Sequence, residues 1–315
     1  KTRFSFVTLF VLFSLTLAAC GVIAPAPTPA LSQSPAPVEG GAEGNTPAPT
    51  ATAEPSPTLP PTPTLTPTIP PLPPDPQRIE FEAEDGTKLV GLYYPAAVNP
   101  APVVVMMHWA GGDKGDWMML GMVQWLTNRG LPTDMVVFPP EVLAKLYPPM
   151  PDGLSFGAFV FDFRGFGESG GPKNQFLPSG WLMDSKAAVE RAKTLPGVDP
   201  NRIAAIGGSI GADGAVDGCI MGCVGAISLS PGSYFNVPYA DAVTALDKEG
   251  IPVYCFAAEG DRESAPTCKS AKGDHYTMTI YPGSQHAYGL LQPDRDPDIG
   301  QTILDFLLLV FSIAP

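Results

Sequence analysis

One serine in the chain lies in a pattern that favours nucleophilic chemistry. Residues 207–211 read Gly-Gly-Ser-Ile-Gly and fit the motif G-x-S-x-G around Ser209. The apolar run Ile203–Ile206 before the motif predicts a strand, and the small residues after it predict a helix. Small residues on both sides of a serine permit a tight turn from strand to helix, which holds the hydroxyl clear of the sheet. In a chain with 33 glycines the motif alone is weak, but its position at a strand end predicts that Ser209 is a nucleophile rather than an incidental turn residue.

A serine nucleophile needs a base to accept its proton. Two histidines, His275 and His286, follow Ser209 in the sequence. His286 comes just after the predicted strand Tyr276–Tyr281, whereas His275 comes immediately before it. Because open α/β sheets build their sites at the carboxyl ends of the strands, the sequence predicts that His286 is the base.

The base in turn needs a carboxylate to orient it. Asp261 follows the predicted strand Ile251–Ala258, so it lies beyond the carboxyl end of a neighbouring strand. Glu259 and Glu263 are the alternative acids. The sequence predicts Asp261 as the third member of the triad, against the simpler reading of a turn residue.

Acyl transfer also requires hydrogen-bond donors for a developing oxyanion. The segment His108-Trp109-Ala110-Gly111-Gly112 follows directly after the apolar run Pro102–Met107, which predicts a buried strand. We expect the donors to be the backbone N–H groups of Ala110 and of Ile210, the residue after the nucleophile. We expect His108 to hold this loop rather than to take part in catalysis.

The elements that position these residues alternate between strand and helix from residue 102 to the end of the domain. The predicted strands are Arg78–Ala83, Lys88–Tyr94, Pro102–Met107, Phe156–Phe163, Ile203–Ile206, Val224–Leu229, Ile251–Ala258 and Tyr276–Tyr281. The predicted helices are Asp116–Arg129, Leu182–Thr194, the segment after Ser209, Tyr239–Lys248 and Asp298–Phe311. This alternation predicts an α/β fold with a mostly parallel eight-stranded sheet, flanked by helices on both faces. The first two strands, joined at Asp85-Gly86, are expected to be antiparallel.

Residues 78–315 resemble the α/β-hydrolase superfamily, and in particular its dienelactone-hydrolase-like and acyl-esterase members. The resemblance rests on His108 to Gly112, the turn Asp162 to Ser169, the Ser209 elbow, Asp261 and His286. It implies a serine hydrolase that cleaves carboxylic esters through an acyl-enzyme, acts on a small-molecule substrate and needs no metal or organic cofactor. Trp109 stands where many members have glycine. Ser209 stands where true dienelactone hydrolases have cysteine, so their substrate is not implied.

Two other functions fit the same residues. A peptidase or another acyl hydrolase could use the same triad, because fold and triad do not determine the leaving group. A hydrolase fold without activity could instead serve as a binding protein at the cell surface, although the intact triad argues against this.

The N-terminal part of the chain predicts a secretory signal and a lipid attachment to the membrane. Lys1 and Arg3 precede an apolar run, Phe4–Leu17, which is typical of a secretory signal. Leu17-Ala18-Ala19-Cys20 resembles the end of a bacterial lipoprotein signal, so residues 1–20 are predicted to be that signal and Cys20 to carry lipid. Residues 21–77 contain 18 of the 39 prolines and few large apolar side chains, which predicts a disordered Pro/Thr-rich tether. We therefore expect an extracytoplasmic domain, anchored by lipid to the bacterial membrane.

Charge and cysteine content agree with this location. The net charge of −13 divides into −2 for residues 1–77 and −11 for the remainder, which disfavours nucleic acid as a partner. Four cysteines besides Cys20 suggest two disulfides, with three connectivities open. We favour pairing between sequence neighbours, Cys219 with Cys223 and Cys255 with Cys268. A zinc site is less favoured, because there is no Cys-x-x-Cys pair and there are three histidines.

Residues 131–155 form a long connection with six prolines between a predicted helix and the next strand. A lid or substrate wall is one interpretation, and a surface insertion is equally favoured. A short helix is expected at Glu141–Tyr147. Four large side chains, Trp117, Met118, Met122 and Trp125, could line an acyl pocket, but their helical spacing is more typical of core.

Overall fold

The structure, a computed structural model, describes residues 70–313 and is built on one eight-stranded sheet. The strands are β1 Gln77–Glu82, β2 Lys88–Tyr94, β3 Ala101–Met107, β4 Gly157–Phe161, β5 Val198–Gly208, β6 Gly225–Leu229, β7 Val253–Ala258 and β8 Tyr276–Tyr281. Their order is β1-β2-β4-β3-β5-β6-β7-β8. Strand β2 is antiparallel to both of its neighbours, and all other neighbouring pairs are parallel. The predicted sheet is therefore confirmed in strand number and in direction.

Helices cover both faces of the sheet and divide the core in two. They are α1 Asp116–Met119, α2 Met122–Thr127, α3 Pro140–Leu146, α4 Pro178–Ala192, α5 Ile210–Cys219, α6 Tyr239–Lys248, α7 Ser264–Ser270 and α8 Ile299–Val310. Buried side chains of α4 to α7 pack on one face, and those of α1 to α3 and α8 pack on the other. Covered on both sides, β3 and β4 are buried at every residue, which is why their sequences are continuous apolar runs.

Two helices differ from the prediction. The single helix predicted at Asp116–Arg129 is two short helices, α1 and α2, because Gly121 adopts φ +77° between them and the chain turns there. The helix α7 was not predicted. Its seven residues include a proline and no long apolar stripe, so their pattern carried no helical period.

Residues 131–155 pack on the α2 side of the domain. The Trp125 ring stacks on Tyr147 with centroids 4.8 Å apart, and its indole N–H donates to the carbonyl of Pro148 at 2.7 Å. Leu146, in α3, is fully buried. The expected short helix is present, and the role of this segment as a lid remains a prediction. Of the four aromatic and methionine side chains considered above, Trp117 and Met122 belong to the core.

Residues 70–76, assigned by composition to the tether, contact the domain. The Arg129 guanidinium donates to the carbonyl of Leu72 at 2.8 Å, and the Asn99 amide donates to the carbonyl of Pro70 at 3.1 Å. The predicted signal, Cys20 and most of the tether lie outside the described residues. Between residues 70 and 313, no helix combines the length and apolar character needed to span a bilayer.

The four cysteines of the domain form two disulfides, Cys219–Cys223 and Cys255–Cys268. These are the pairs favoured from the sequence. The first closes the end of α5, and the second joins β7 to α7, the helix that follows Asp261. Both bonds are buried among apolar side chains of the same core cluster.

Candidate active site

The turn between β5 and α5 holds Ser209 in a strained conformation. Ser209 has φ +55° and ψ −119°, a region that residues with a Cβ rarely adopt. Its N–H donates to the carbonyl of Leu229 on β6 at 2.9 Å, which fixes the corner against the neighbouring strand. A Cβ on Gly207 would overlap the carbonyl of Gly211, and a Cβ on Gly211 would overlap the carbonyl of Met107. The glycines of the motif therefore make the turn sterically possible.

Three side chains from three strand ends form a chain of hydrogen bonds. His286 Nε2 lies 2.9 Å from Ser209 Oγ, and His286 Nδ1 lies 2.7 Å from Asp261 Oδ2. The structure thus brings together the serine, acid and histidine that the sequence singled out. The alternative acids Glu259 and Glu263 do not bond to this histidine in residues 70–313.

The environment of Asp261 favours its ionised form. Burial raises the pKa of this carboxyl, but hydrogen bonds from His286 and Ser264, with the charge of His286, outweigh burial and lower the pKa below its ordinary value. The second carboxylate oxygen accepts the N–H of Ser264 at 3.3 Å. Asp261 is therefore held as a carboxylate beside the imidazole, where it can stabilise a positive charge on that ring.

A second set of contacts holds the histidine loop in place. Ala287, the next residue after His286, has φ +49°, and its N–H donates to Ser230 Oγ at 2.9 Å. Ser230 is itself fully buried and donates its own N–H to Phe256 on β7 at 2.8 Å. No sequence signal marks Ser230 for this role, because a serine after an apolar strand belongs to no motif.

The loop after β3 lies on the opposite side of Ser209 from β6. His108 is fully buried, and burial lowers its pKa. One ring nitrogen, Nδ1, bonds the carbonyl of Trp109 at 2.7 Å, and the other, Nε2, accepts the N–H of Phe163 at 3.0 Å. Since Nε2 is the acceptor, the neutral ring carries its proton on Nδ1. The histidine ties the loop to the end of β4, in the structural role expected for it.

Tyr288 determines which N–H of this loop is free. Its hydroxyl accepts the N–H of Trp109 at 3.2 Å, and the two rings pack with centroids 5.9 Å apart. The next N–H, that of Ala110, has no acceptor within residues 70–313. The N–H of Ile210 is the first of α5, and the first N–H groups of a helix have no partner within it. Both predicted oxyanion donors thus lack a hydrogen-bond acceptor within residues 70–313, and their role in catalysis remains a prediction.

The imidazole of the triad borders solvent, whereas the serine is largely covered. The His286 side chain is 34% exposed and Ser209 is 7% exposed. In the part of the chain that the structure describes, no three His, Cys, Asp or Glu side chains are grouped to hold a metal ion.

Comparison with known proteins supports the fold but provides little evidence about the function. No protein-family model matches the chain. The uncharacterized protein YfhR of Escherichia coli K12 is 31% identical over 144 residues, which cover 44% of this chain and 40% of that protein. The chain thus spans well under half the length of this curated relative.

Solved structures match over a larger share of the chain. The α/β hydrolase GrgF from Penicillium sp. sh18 superposes with a TM-score of 0.54 at 17% identity, covering 76% of this chain and 99% of that protein. The Pyrococcus furiosus esterase Pf2001 superposes with a TM-score of 0.51 at 17% identity, covering 75% and 92%. At such identities the likeness shows the fold.

Proposed function

We propose, from the α/β-hydrolase fold of this chain, that it is a serine hydrolase that cleaves carboxylic esters through a covalent acyl-enzyme. One observation carries the proposal: Ser209, His286 and Asp261, which lie up to 77 residues apart in the chain, form one hydrogen-bonded series at the carboxyl ends of β5, β7 and β8. The esterases among the structural neighbours support the reaction class by analogy of fold.

Each group has a defined task in the first half of the reaction. Ser209 Oγ attacks the ester carbonyl carbon while His286 Nε2 takes the hydroxyl proton. Asp261 stabilises the imidazolium that results. The carbonyl oxygen, now negatively charged, accepts hydrogen bonds from the N–H groups of Ala110 and Ile210.

The tetrahedral intermediate then breaks down, with His286 now acting as the general acid. The carbon–oxygen bond to the alcohol breaks, and His286 returns its proton to that oxygen, so the alcohol leaves as a neutral molecule. Water attacks the acyl-serine in the same way, with His286 as base, and releases the carboxylic acid and free Ser209.

We also propose that this reaction takes place at the outer face of a membrane. The proposal rests on the lipoprotein-like segment that ends at Cys20, on the proline-rich residues that follow and on the two disulfides of the domain. Disulfides persist in oxidising compartments outside the cytoplasm.

A fluorophosphonate probe tests the proposed chemistry directly, because it reacts with an activated serine. Wild-type protein should be labelled and should hydrolyse p-nitrophenyl acetate, and Ser209→Ala should lose both properties. A loss in kcat of about 10⁴-fold or more is expected for a triad nucleophile. Ser270→Ala is the matched control, since this exposed hydroxyl bonds within its own helix end.

Two results would reject the proposal. Labelling and turnover that persist in purified Ser209→Ala would remove this serine from the mechanism. A wild-type protein that folds but neither reacts with the probe nor hydrolyses the ester would favour a binding protein on a hydrolase fold. Parallel assay of a matched p-nitroanilide separates ester from amide cleavage.

A further inference from the structure

The loop after β6 brings a tyrosine beside the nucleophile. The hydroxyl of Tyr234 lies near Ser209 and Glu263, close enough for hydrogen bonding with each to affect its pKa. Burial raises the pKa of Tyr234, the charge of Glu263 raises it further, and hydrogen bonding with Ser209 lowers it, with a net increase. The phenol is therefore protonated at neutral pH and can act as a hydrogen-bond donor. No partner within residues 70–313 holds this hydroxyl in a bond of ordinary length.

A buried carboxylate fixes this loop to the helix that carries the nucleophile. Asp213 lies one turn after Ser209 on α5 and is 1% exposed. It accepts the backbone N–H of Gly232 and of Ser233 at 3.3 Å, and that of Tyr234 at 2.5 Å. Three donors on one carboxylate hold the loop through several bonds at once. Since Asp213 and Ser209 belong to the same rigid element, the position of Tyr234 relative to the nucleophile is fixed.

The sheet order determines on which side of the nucleophile the phenol lies. Strand β5 has β3 on one side and β6 on the other. Ala110 follows β3, so this predicted oxyanion donor lies on the β3 side. Tyr234 follows β6, and His286 approaches from β8, beyond β6. The phenol and the imidazole thus lie on the same side of Ser209.

The histidine must deliver its proton to the departing alcohol, so that side of the nucleophile is where the alcohol half of the ester lies. We propose that Tyr234 binds the alcohol half of the substrate and donates a hydrogen bond to the leaving oxygen. This inference rests on the proposed function. As the carbon–oxygen bond breaks, negative charge develops on that oxygen. His286 transfers its proton to the oxygen, while Tyr234 shares its hydrogen with a lone pair and keeps its own O–H bond.

Esters with the same acyl group and different alcohols test this role. A poor leaving group depends on stabilisation of the departing oxygen, and p-nitrophenolate does not. Tyr234→Phe should therefore lower kcat/KM for ethyl acetate by about 10- to 100-fold, the factor expected for a hydrogen bond to a charged group. The kcat/KM value for p-nitrophenyl acetate should change less than about 3-fold, since p-nitrophenolate leaves readily without a hydrogen bond to its oxygen.

Tyr239→Phe is the matched control. It removes the same atom from the same segment, but Tyr239 is 2% exposed and packs in the core at the start of α6. The ratio of the two kcat/KM values should stay at the wild-type level in this variant.

Gly232→Ala tests the same inference without removing the phenol. A Cβ at this position would overlap the Tyr234 ring, and the backbone there does not have a positive φ, so the ring is what must move. The variant should show the same selective loss on ethyl acetate. Equal losses on both esters, or unchanged turnover of ethyl acetate, in the two variants would overturn the assignment. Failure of the wild-type protein to hydrolyse p-nitrophenyl acetate would overturn the proposed function itself and is seen before any variant is compared.

Discussion

At the scale of single residues, two histidines at the ends of one strand have different surroundings. His286 follows β8 and bonds Ser209 and Asp261. His275 precedes β8, and both its N–H and its ring bond Asp247, at 2.7 and 3.1 Å. A six-residue strand separates them by roughly 20 Å, so they cannot serve the same site.

This separation leads to a paired prediction. His286→Ala should reduce kcat for p-nitrophenyl acetate by about 10⁴-fold or more, because it removes the imidazole that bonds Ser209 Oγ. His275→Ala should leave kcat within about 2-fold of wild type, since it removes a contact at the opposite rim. Steady-state kinetics of both purified variants decide the matter. A large loss in the His275 variant and a small loss in the other would contradict the assignment of Ser209, Asp261 and His286 as one triad.

The members of the triad can be predicted from the sequence, but the residues that surround them cannot. Ser209 and His286 could be found because motif and strand ends mark them. Tyr234 and Tyr288 could not, since their positions depend on how the loops after β6 and β8 fold back. One signal was available: α5 is made of small and apolar side chains apart from two acids, Asp213 and Asp217, which indicates buried carboxyl groups.

At the scale of elements, α5 has a second buried acid. Asp217 is 8% exposed, and burial, with the nearby charge of Asp213, raises its pKa to about 8, against an opposing effect of Lys186. A folded-state pKa above the unfolded value means that the folded protein holds a proton that the unfolded chain releases. The contribution of Asp217 to the free energy of unfolding is therefore largest below the pKa of the unfolded chain and is lost as pH rises through about 8.

Asp217→Asn should remove this contribution, because the amide does not ionise. The Tm of the variant minus that of wild type should be at least about 2 °C higher at pH 8.5 than at pH 5. About 1 kcal/mol produces a shift of this size in a domain of this length. Asp241→Asn is the control. Asp241 is an exposed acid that lines, together with Asp217, a cavity of about 200 Å³. Thermal denaturation across this pH range measures the effect, and parallel curves for wild type and Asp217→Asn would refute it.

Three elements match the sequence closely in their bounds. Helix α6 and strand β8 have the predicted bounds, and β3 begins one residue early. Strand β5 extends from Val198 to Gly208, well beyond the predicted apolar run, because its first half includes polar residues and a register shift against β3 that an apolar run does not mark. The break at Gly121 lies against Leu143 of α3, which a Cβ at Gly121 would meet, and periodicity cannot show such a contact between distant segments.

At the scale of the whole molecule, the sheet order explains why these residues meet. The chain leaves β3 for β4 on one side and returns to β5 on the other. The loops after β3 and β5 therefore diverge and leave a crevice at the carboxyl ends of these strands, where sites of open α/β sheets are found. Ala110 and Ser209 border this crevice, whereas Asp261 and His286 come from the strands beyond. The order of strands thus assembles a site from four separate segments.

The predicted anchor is also a property of the whole chain. Cys20→Ser should move the protein from the membrane fraction to the soluble fraction and leave kcat unchanged, because Cys20 lies far outside the folded domain in sequence. More than one acyl chain on the mature cysteine is expected, since a single chain binds a bilayer only marginally. Fractionation of cells and mass spectrometry of the mature N-terminus check this. An unmodified Cys20, or a mature terminus at another residue, would contradict the anchor.

The conformation of Ser209 has a consequence for the evolution of this chain. A side chain at φ +55° costs about 1–3 kcal/mol, of which glycine would recover most and lose about 0.5–1 kcal/mol to the greater freedom of its unfolded state. Ser209→Gly should therefore have a higher Tm than Ser209→Ala, while both lack activity. In a gene copy no longer under selection for the proposed catalysis, loss of this serine would thus be favoured, since the same substitution would remove the nucleophile and raise stability.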